Sequence, residues 1–208
     1  SAGEGGALLT NNRTIYERAL LFHNGGSGFQ YYTGPVHIPD FAGSQCRASE
    51  ITGAILRVQL QRLDGILSDL RLVKRTLMTA LSDLPGVRFL ASHDSEGDCG
   101  LTLGLSFDNA GTADEFVERS QINAWKPVNS NRHVYHLWGP VLERRGSHHP
   151  ALNPYKLPQN MDLRGNYSPD MCPRTLDILG RTVFVTIRPD WDEATIAHVI
   201  DRCRQALL

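Results

Sequence analysis

The chain has 208 residues, with 21 Lys and Arg against 22 Asp and Glu, a formal charge of −1, and 41% hydrophobic and 21% charged residues. That balance suits a folded chain with a sizeable core, and it argues against disorder and against a long-range field for nucleic acid or an anionic membrane. No apolar run approaches the roughly 18 residues of a membrane span, and no basic stretch leads into an apolar one as in a signal peptide. Cys46, Cys99, Cys172 and Cys203 form no CxxC pair, so a reducing, cytoplasmic setting is expected and a zinc site is not.

In chain order, Gly3-Glu4-Gly5-Gly6 suits a tight turn, and Ala7-Leu8-Leu9 reads as a short buried strand. Asn11 or Asn12 caps a predicted helix through Ile15, Ala19 and Leu20 to Phe22, and the glycines after His23 end it. Residues 29–45, with Tyr31, Tyr32, Pro35 and Pro39, have no period and read as a long functional loop. From Arg47 the apolar spacing turns helical, through Ile51, Ile55, Val58 and Leu63 and then Ile66, Leu70, Val73, Leu77 and Leu81. Either a kink near Leu63-Asp64-Gly65 or one long connector is expected, stopping at Pro85-Gly86.

The second half reads as a compact α/β unit. Val87-Arg88-Phe89 is a strand, 94–100 a polar turn, and Leu101, Leu103, Leu105 and Phe107 alternate as a second strand. Thr112 is the expected cap of a helix over Phe116 and Val117, with Glu115 completing a capping box. Asn123-Ala124-Trp125 reads as a short strand, residues 126–169 as a non-periodic insertion rich in proline, histidine and aromatics, and Pro173 as the start of a short helix. A strand over 181–187 and a helix capped by Asp192 complete a two-layer lobe.

Some of these features bear on chemistry. Gln45-Cys46-Arg47 places amide and guanidinium donors beside a helix N-terminus, where they either bind an oxyanion or serve as an ordinary cap and ion pair. His133, His136, His148 and His149 cluster around Trp138 and suit a polar, ring-shaped substrate, or else packing or a subunit interface. Their spacing lacks the acidic or cysteine ligands of a metal site. Asp94, Glu96 and Asp98 read as a solvated turn, and no Ser-His-Asp arrangement is specified. Of the lysines there are only Lys74, Lys126 and Lys156.

Several stretches, in order, resemble the DegT/DnrJ/EryC/StrS group of sugar and aminocyclitol aminotransferases. Gly3–Thr10 resembles the GEGG segment after the family's Schiff-base lysine, and Leu21–Gly25 stands at its Asn-His-Gly type turn. Gly43–Glu50 resembles the Gly-x-Asn-Tyr-Arg-Met-x-Glu box, followed by Ala54 and the Gln59-Leu60-x-x-Leu63-Asp64 helix. Cys172-Pro173, Thr175-Leu176, the strand to Ile187 and the helix after Trp191 match the end of the small domain. Gln45 replaces an asparagine that reaches the cofactor phosphate of the neighbouring subunit, Cys46 replaces an aromatic, and Asn24 stands where histidine is common.

The resemblance implies a fold-type I, α/β pyridoxal 5'-phosphate enzyme. Residues 1–65 would be the end of the large domain, 66–85 a connecting helix and 86–208 the small domain. It implies transfer of an amino group from glutamine or glutamate to a keto-sugar or keto-cyclitol, in amino-sugar or antibiotic biosynthesis. Gln45 and Gly5 would contact the cofactor, and Tyr31, Tyr32, Arg47, His133, His136 and Trp138 the substrate. Only Ser1 and Ala2 precede the GEGG segment, so the Schiff-base lysine is expected on a companion N-terminal fragment, with the assembled enzyme a homodimer. The alternatives are a dehydratase of the same family and a catalytically inactive partner subunit.

Overall fold

The computed structural model describes residues 3–27, 35–130, 133–163 and 165–207. The chain divides into two compact units between Asp64 and Gly65.

In the first unit, Asn12 caps α1 (Arg13–His23) by accepting a hydrogen bond from the Ile15 N–H at 3.2 Å. Asn24, Gly25 and Gly26 end the helix, with the Gly26 N–H donating to the Leu21 carbonyl at 2.7 Å. The strand expected at Ala7-Leu8-Leu9 does not form. These residues have no strand partner among the described residues, and Leu8 and Leu9 are 59% and 95% exposed. An apolar triplet pairs only if a neighbouring ladder is present to satisfy its backbone.

The long helical pattern forms a single helix, α2 (Glu50–Ala80), started by Ser49, whose hydroxyl accepts the Thr52 N–H at 3.1 Å. The helical hydrogen-bonding pattern is not interrupted at Gly65: one glycine costs a helix only about 1 kcal/mol, and the surrounding Leu and Arg residues favour it. The helix therefore starts well before the connector expected over 66–85. Its early apolar residues, Ile51, Ile55, Val58 and Leu60, are exposed, whereas Leu70, Val73 and Leu77 belong to the core of the second unit.

The second unit is a four-stranded antiparallel sheet in the order β1 (Val87–Phe89), β2 (Thr102–Phe107), β4 (Thr182–Thr186), β3 (Ala124–Trp125). Its period-two pattern sends Leu103, Leu105, Phe107, Val183 and Val185 to one face. There they join Phe116 of α3 (Ala110–Ser120), Val199 and Cys203 of α6 (Glu193–Gln205) and the later part of α2. Burial holds the Cys203 thiol up at about 12. The cap of α3 is Asn109, not Thr112: the Asn109 side chain accepts the Thr112 N–H at 2.9 Å, which puts the helix start three residues earlier.

The described residues of 126–169 form a series of single turns. Pro127, Pro150, Pro154 and Pro158 each open a 3-10 turn, because proline arrives with a helical φ and has no N–H to satisfy. Tyr135–Leu137 forms another, followed by α4 (Gly139–Leu142). Pro173 begins α5 (Pro173–Gly180) as expected.

Candidate functional site

Segment 41–46 returns along the C-terminal end of α1 and is stitched to it by the main chain. The Ser44 N–H donates to the Phe22 carbonyl at 2.9 Å, the Cys46 N–H to His23 at 2.9 Å, and the Gly25 N–H to Ser44 at 3.0 Å, with a bridge between Asn24 and Gln45. The approach is close enough to demand glycine on both sides. A Cβ at Gly26 (φ +94°) would fall inside the Phe41 carbonyl, and one at Gly43 would stand 2.6 Å from the Gly26 nitrogen. The turn at 21–25 and the box at 43–50, separate in sequence, are thereby joined.

This clasp sets the polar side chains. Arg47 Nε donates to Asn24 Oδ1 at 2.6 Å, and the Arg47 N–H to Gln45 Oε1 at 3.3 Å. Gln45 is exposed, and with its oxygen engaged by Arg47 its amide N–H groups remain available to an anion. Asn24 holds Arg47 across the turn, a role that nothing in the linear spacing disclosed. His23 Nδ1 donates to the Leu20 carbonyl at 2.7 Å, and Cys46 is exposed. Gly5 is exposed and a Cβ there would meet nothing within 4 Å, so no crowding requires glycine.

A second anchor lies further up α1. Glu17, 2% exposed, accepts from Arg13 Nε at 2.6 Å, His37 Nδ1 at 2.8 Å and the His37 N–H at 3.2 Å. Donation by His37, and secondarily by Arg13, pushes its carboxyl down to about 2. The Arg13–Glu17 spacing is visible in sequence, but the contact with His37 spans 20 residues and is not. Tyr31 and Tyr32 lie outside the described residues.

The second unit holds the other candidates. The Trp125 ring of β3 packs at a tilt on Phe184, 5.3 Å between centroids, and on His133, at 5.6 Å, and its indole N–H donates to Thr186 Oγ1 at 3.3 Å. Trp125 and Phe184 were not anticipated as part of this group; their strands pair from distant parts of the chain. Tyr135 Oη accepts the Cys172 N–H at 2.9 Å and fixes the turn that carries His136 and Trp138. His136 Nδ1 is shielded from solvent without a hydrogen-bond partner among the described residues, and Trp138 is 42% exposed. His136 lies within the Tyr135–Leu137 turn and Trp138 follows it, while His133 precedes the turn and packs on Trp125; Gln45 and Arg47 belong to the first unit.

Among the described residues no group of three or more His, Cys, Asp or Glu is placed to hold a metal ion, and no helix is long and apolar enough to cross a membrane. Two of the lysines are committed to ion pairs, Lys74 to Asp98 and Lys126 to Asp114, each at 2.6 Å. Lys126 is almost fully buried and also donates to the Ala110 carbonyl at 3.3 Å.

Among solved structures, the chain is similar to the aminotransferase PseC of Helicobacter pylori, with a TM-score of 0.63 and 12% identity over 95% of this chain and 47% of that one. It is also similar to DesV of S. venezuelae, with a TM-score of 0.60 and 17% identity over 94% of this chain and 45% of the other. These likenesses give the mixed α/β architecture of fold-type I transferases, and the chain spans less than half the length of either structure. The erythromycin biosynthesis sensory transduction protein EryC1 of Saccharopolyspora erythraea is 33% identical over 91 residues, 44% of this chain and 23% of that protein. The model of the DegT/DnrJ/EryC1/StrS aminotransferase family matches residues 1–124, a span that takes in the whole clasp between α1 and the Gln45-Cys46-Arg47 box, and the chain belongs to that family.

Proposed function

We propose that this chain supplies the later part of a pyridoxal 5'-phosphate-dependent aminotransferase that moves an amino group from glutamine or glutamate to a keto-sugar or keto-cyclitol. The observation that carries this reading is the clasp, which leaves the exposed Gln45 amide able to donate beside Arg47. A neutral amide and a guanidinium two residues apart fit a phosphate group, so Gln45 is the residue of this chain assigned to the cofactor. When bound, pyridoxal phosphate supplies an electron sink for deprotonation at the amino-bearing carbon. Gly5 lies in the stretch that resembles the GEGG segment and contributes its main-chain N–H.

Arg47 orients the substrate on the first unit, and His133, His136 and Trp138 offer imidazole donors and an aromatic face to a ring bearing hydroxyls. Tyr31 and Tyr32 belong to the same assignment. Residues to 65 form the end of the large domain, and those from 86 the small one. The base that moves the proton belongs to a companion polypeptide or segment carrying the Schiff-base lysine. Ile51, Val58 and Leu60 of α2 support such a companion, being 74%, 56% and 70% exposed on a helix whose apolar spacing asks for cover.

The test is reconstitution with a family segment that carries the Schiff-base lysine, followed by gel filtration and measurement of retained cofactor absorbance. The assembled dimer retains cofactor and transaminates, and the chain alone does neither; a cofactor imine band from this polypeptide alone would overturn the reading. Gln45→Ala lowers retention about tenfold in the assembled dimer, the scale of one hydrogen bond to a charged group. Unchanged retention assigns Gln45 to packing.

A further inference from the structure

Between α2 and the turn after β1, within the second unit, lies a cavity of about 440 Å³, a volume within the range of small-molecule sites. Its apolar floor is Met78, Phe89, Leu90 and Ala91. A second hollow of about 310 Å³ shares these residues and continues past Gly104 to Phe184. The continuation depends on Gly104, where a Cβ would stand 2.6 Å from Leu90 Cδ1.

The walls carry charge. Arg71, Lys74 and Arg75 line the α2 side at spacings that place them on neighbouring positions of one helix face. Lys74 is neutralised by Asp98 at 2.6 Å, and that contact, together with the Gly100 N–H, holds the Asp98 carboxyl below the usual carboxylate range. Arg71 Nε donates at 2.7 Å to the Asp98 backbone carbonyl, a neutral acceptor that leaves the guanidinium charge in place. The Arg75 side chain has no hydrogen bond or ion pair among the described residues. Glu96 is the remaining carboxylate of the lining, so one positive charge is left in excess.

We propose that this groove binds a small amphipathic monocarboxylate. The carboxylate pairs with the Arg75 fork and the Ser92 and Ser95 hydroxyls, and an aromatic or short aliphatic body rests on Met78, Phe89 and Leu90. The charge balance selects the class. A dianion would bring one charge more than the lining offsets, and a neutral ligand would strip water from Arg75 and return no acceptor. The site requires neither the cofactor nor a companion chain, so it stands or falls apart from the aminotransferase reading.

The test is an amide NMR titration of the 208-residue chain with benzoate, with benzyl alcohol as the neutral analogue and acetate as the anion without a body. Benzoate produces saturable shifts confined to residues 71–78 and 89–104, at least tenfold tighter than either control. Arg75→Ala brings benzoate to the level of benzyl alcohol without altering the alcohol, and Arg75→Lys recovers part of the difference. Equal response to benzoate and benzyl alcohol would refute the proposal. So would shifts centred on residues 3–64, or no saturation by about 20 mM, an affinity too weak for a built site.

Discussion

A carboxylate that is 2% exposed needs donors on both oxygens, and Glu17 receives them from Arg13, from the His37 ring and from the His37 main chain. Its folded-state value of about 2 lies below the ordinary 4.5. The folded form thus prefers the ionised carboxylate more than the unfolded chain does. The resulting stabilisation is full above 4.5 and is lost as pH falls through about 2. Carboxyl-carbon NMR should show Glu17 titrating near 2. His37→Ala should move that midpoint back towards 4.5, and by more than Arg13→Ala does, because the His37 contact is the larger cause. A midpoint unmoved by His37→Ala would show that Arg13, and not this contact, holds the carboxyl down, since burial alone would raise it. Glu17 and Arg13 together tie segment 35–37 to α1: Glu17 holds His37, and Arg13 Nη2 donates to the Pro35 carbonyl at 3.1 Å.

At the scale of elements, the caps decide where helices begin. Asn109→Ala should destabilise the chain by about 1 kcal/mol, because the Thr112 N–H loses its acceptor. Thr112→Ala should cost well under half of that, since Thr112 contributes mainly its main-chain N–H, which alanine keeps. Thermal melts of the two variants check it; equal losses would put the cap back on Thr112. The comparison also shows what local pattern conveys. Asn109 and Thr112 are both good cap residues three positions apart, and only the backbone of Asn109, extended at φ −147°, separates them. Strand β2 and the cap Asp192 were legible because alternation and capping are local rules. The failed strand at Ala7–Leu9, the packing of Trp125 on Phe184 and the clasp of Asn24 on Arg47 depend on partners far along the chain, which no local window contains. The order of the candidate motifs was readable; the grip of α1 on segment 35–46 was not.

At the scale of the molecule, burial is unevenly shared. Every residue of the apolar core, from Ile66 to Leu207, belongs to the second unit. Among the described residues of the first, only Glu17, Leu21 and Gly26 are buried. Leu9, Ile51 and Leu60 instead expose most of their surface there. A unit with so little apolar burial cannot offset the entropy of ordering its backbone, whereas the sheet with α3, α6 and the later part of α2 has the core of an independent domain. A fragment of residues 65–208 should therefore keep a single cooperative thermal transition, and residues 1–64 alone should show none. Phe116, fully buried with its ring 5.1 Å from that of Phe107, reports on the same core. Phe116→Ala should cost about 3–5 kcal/mol in the fragment and in the whole chain alike. Calorimetry and near-ultraviolet circular dichroism distinguish the outcomes. A fragment without a transition, or a penalty at Phe116 that shrinks markedly once residues 1–64 are removed, would mean that the second unit owes its core to the first.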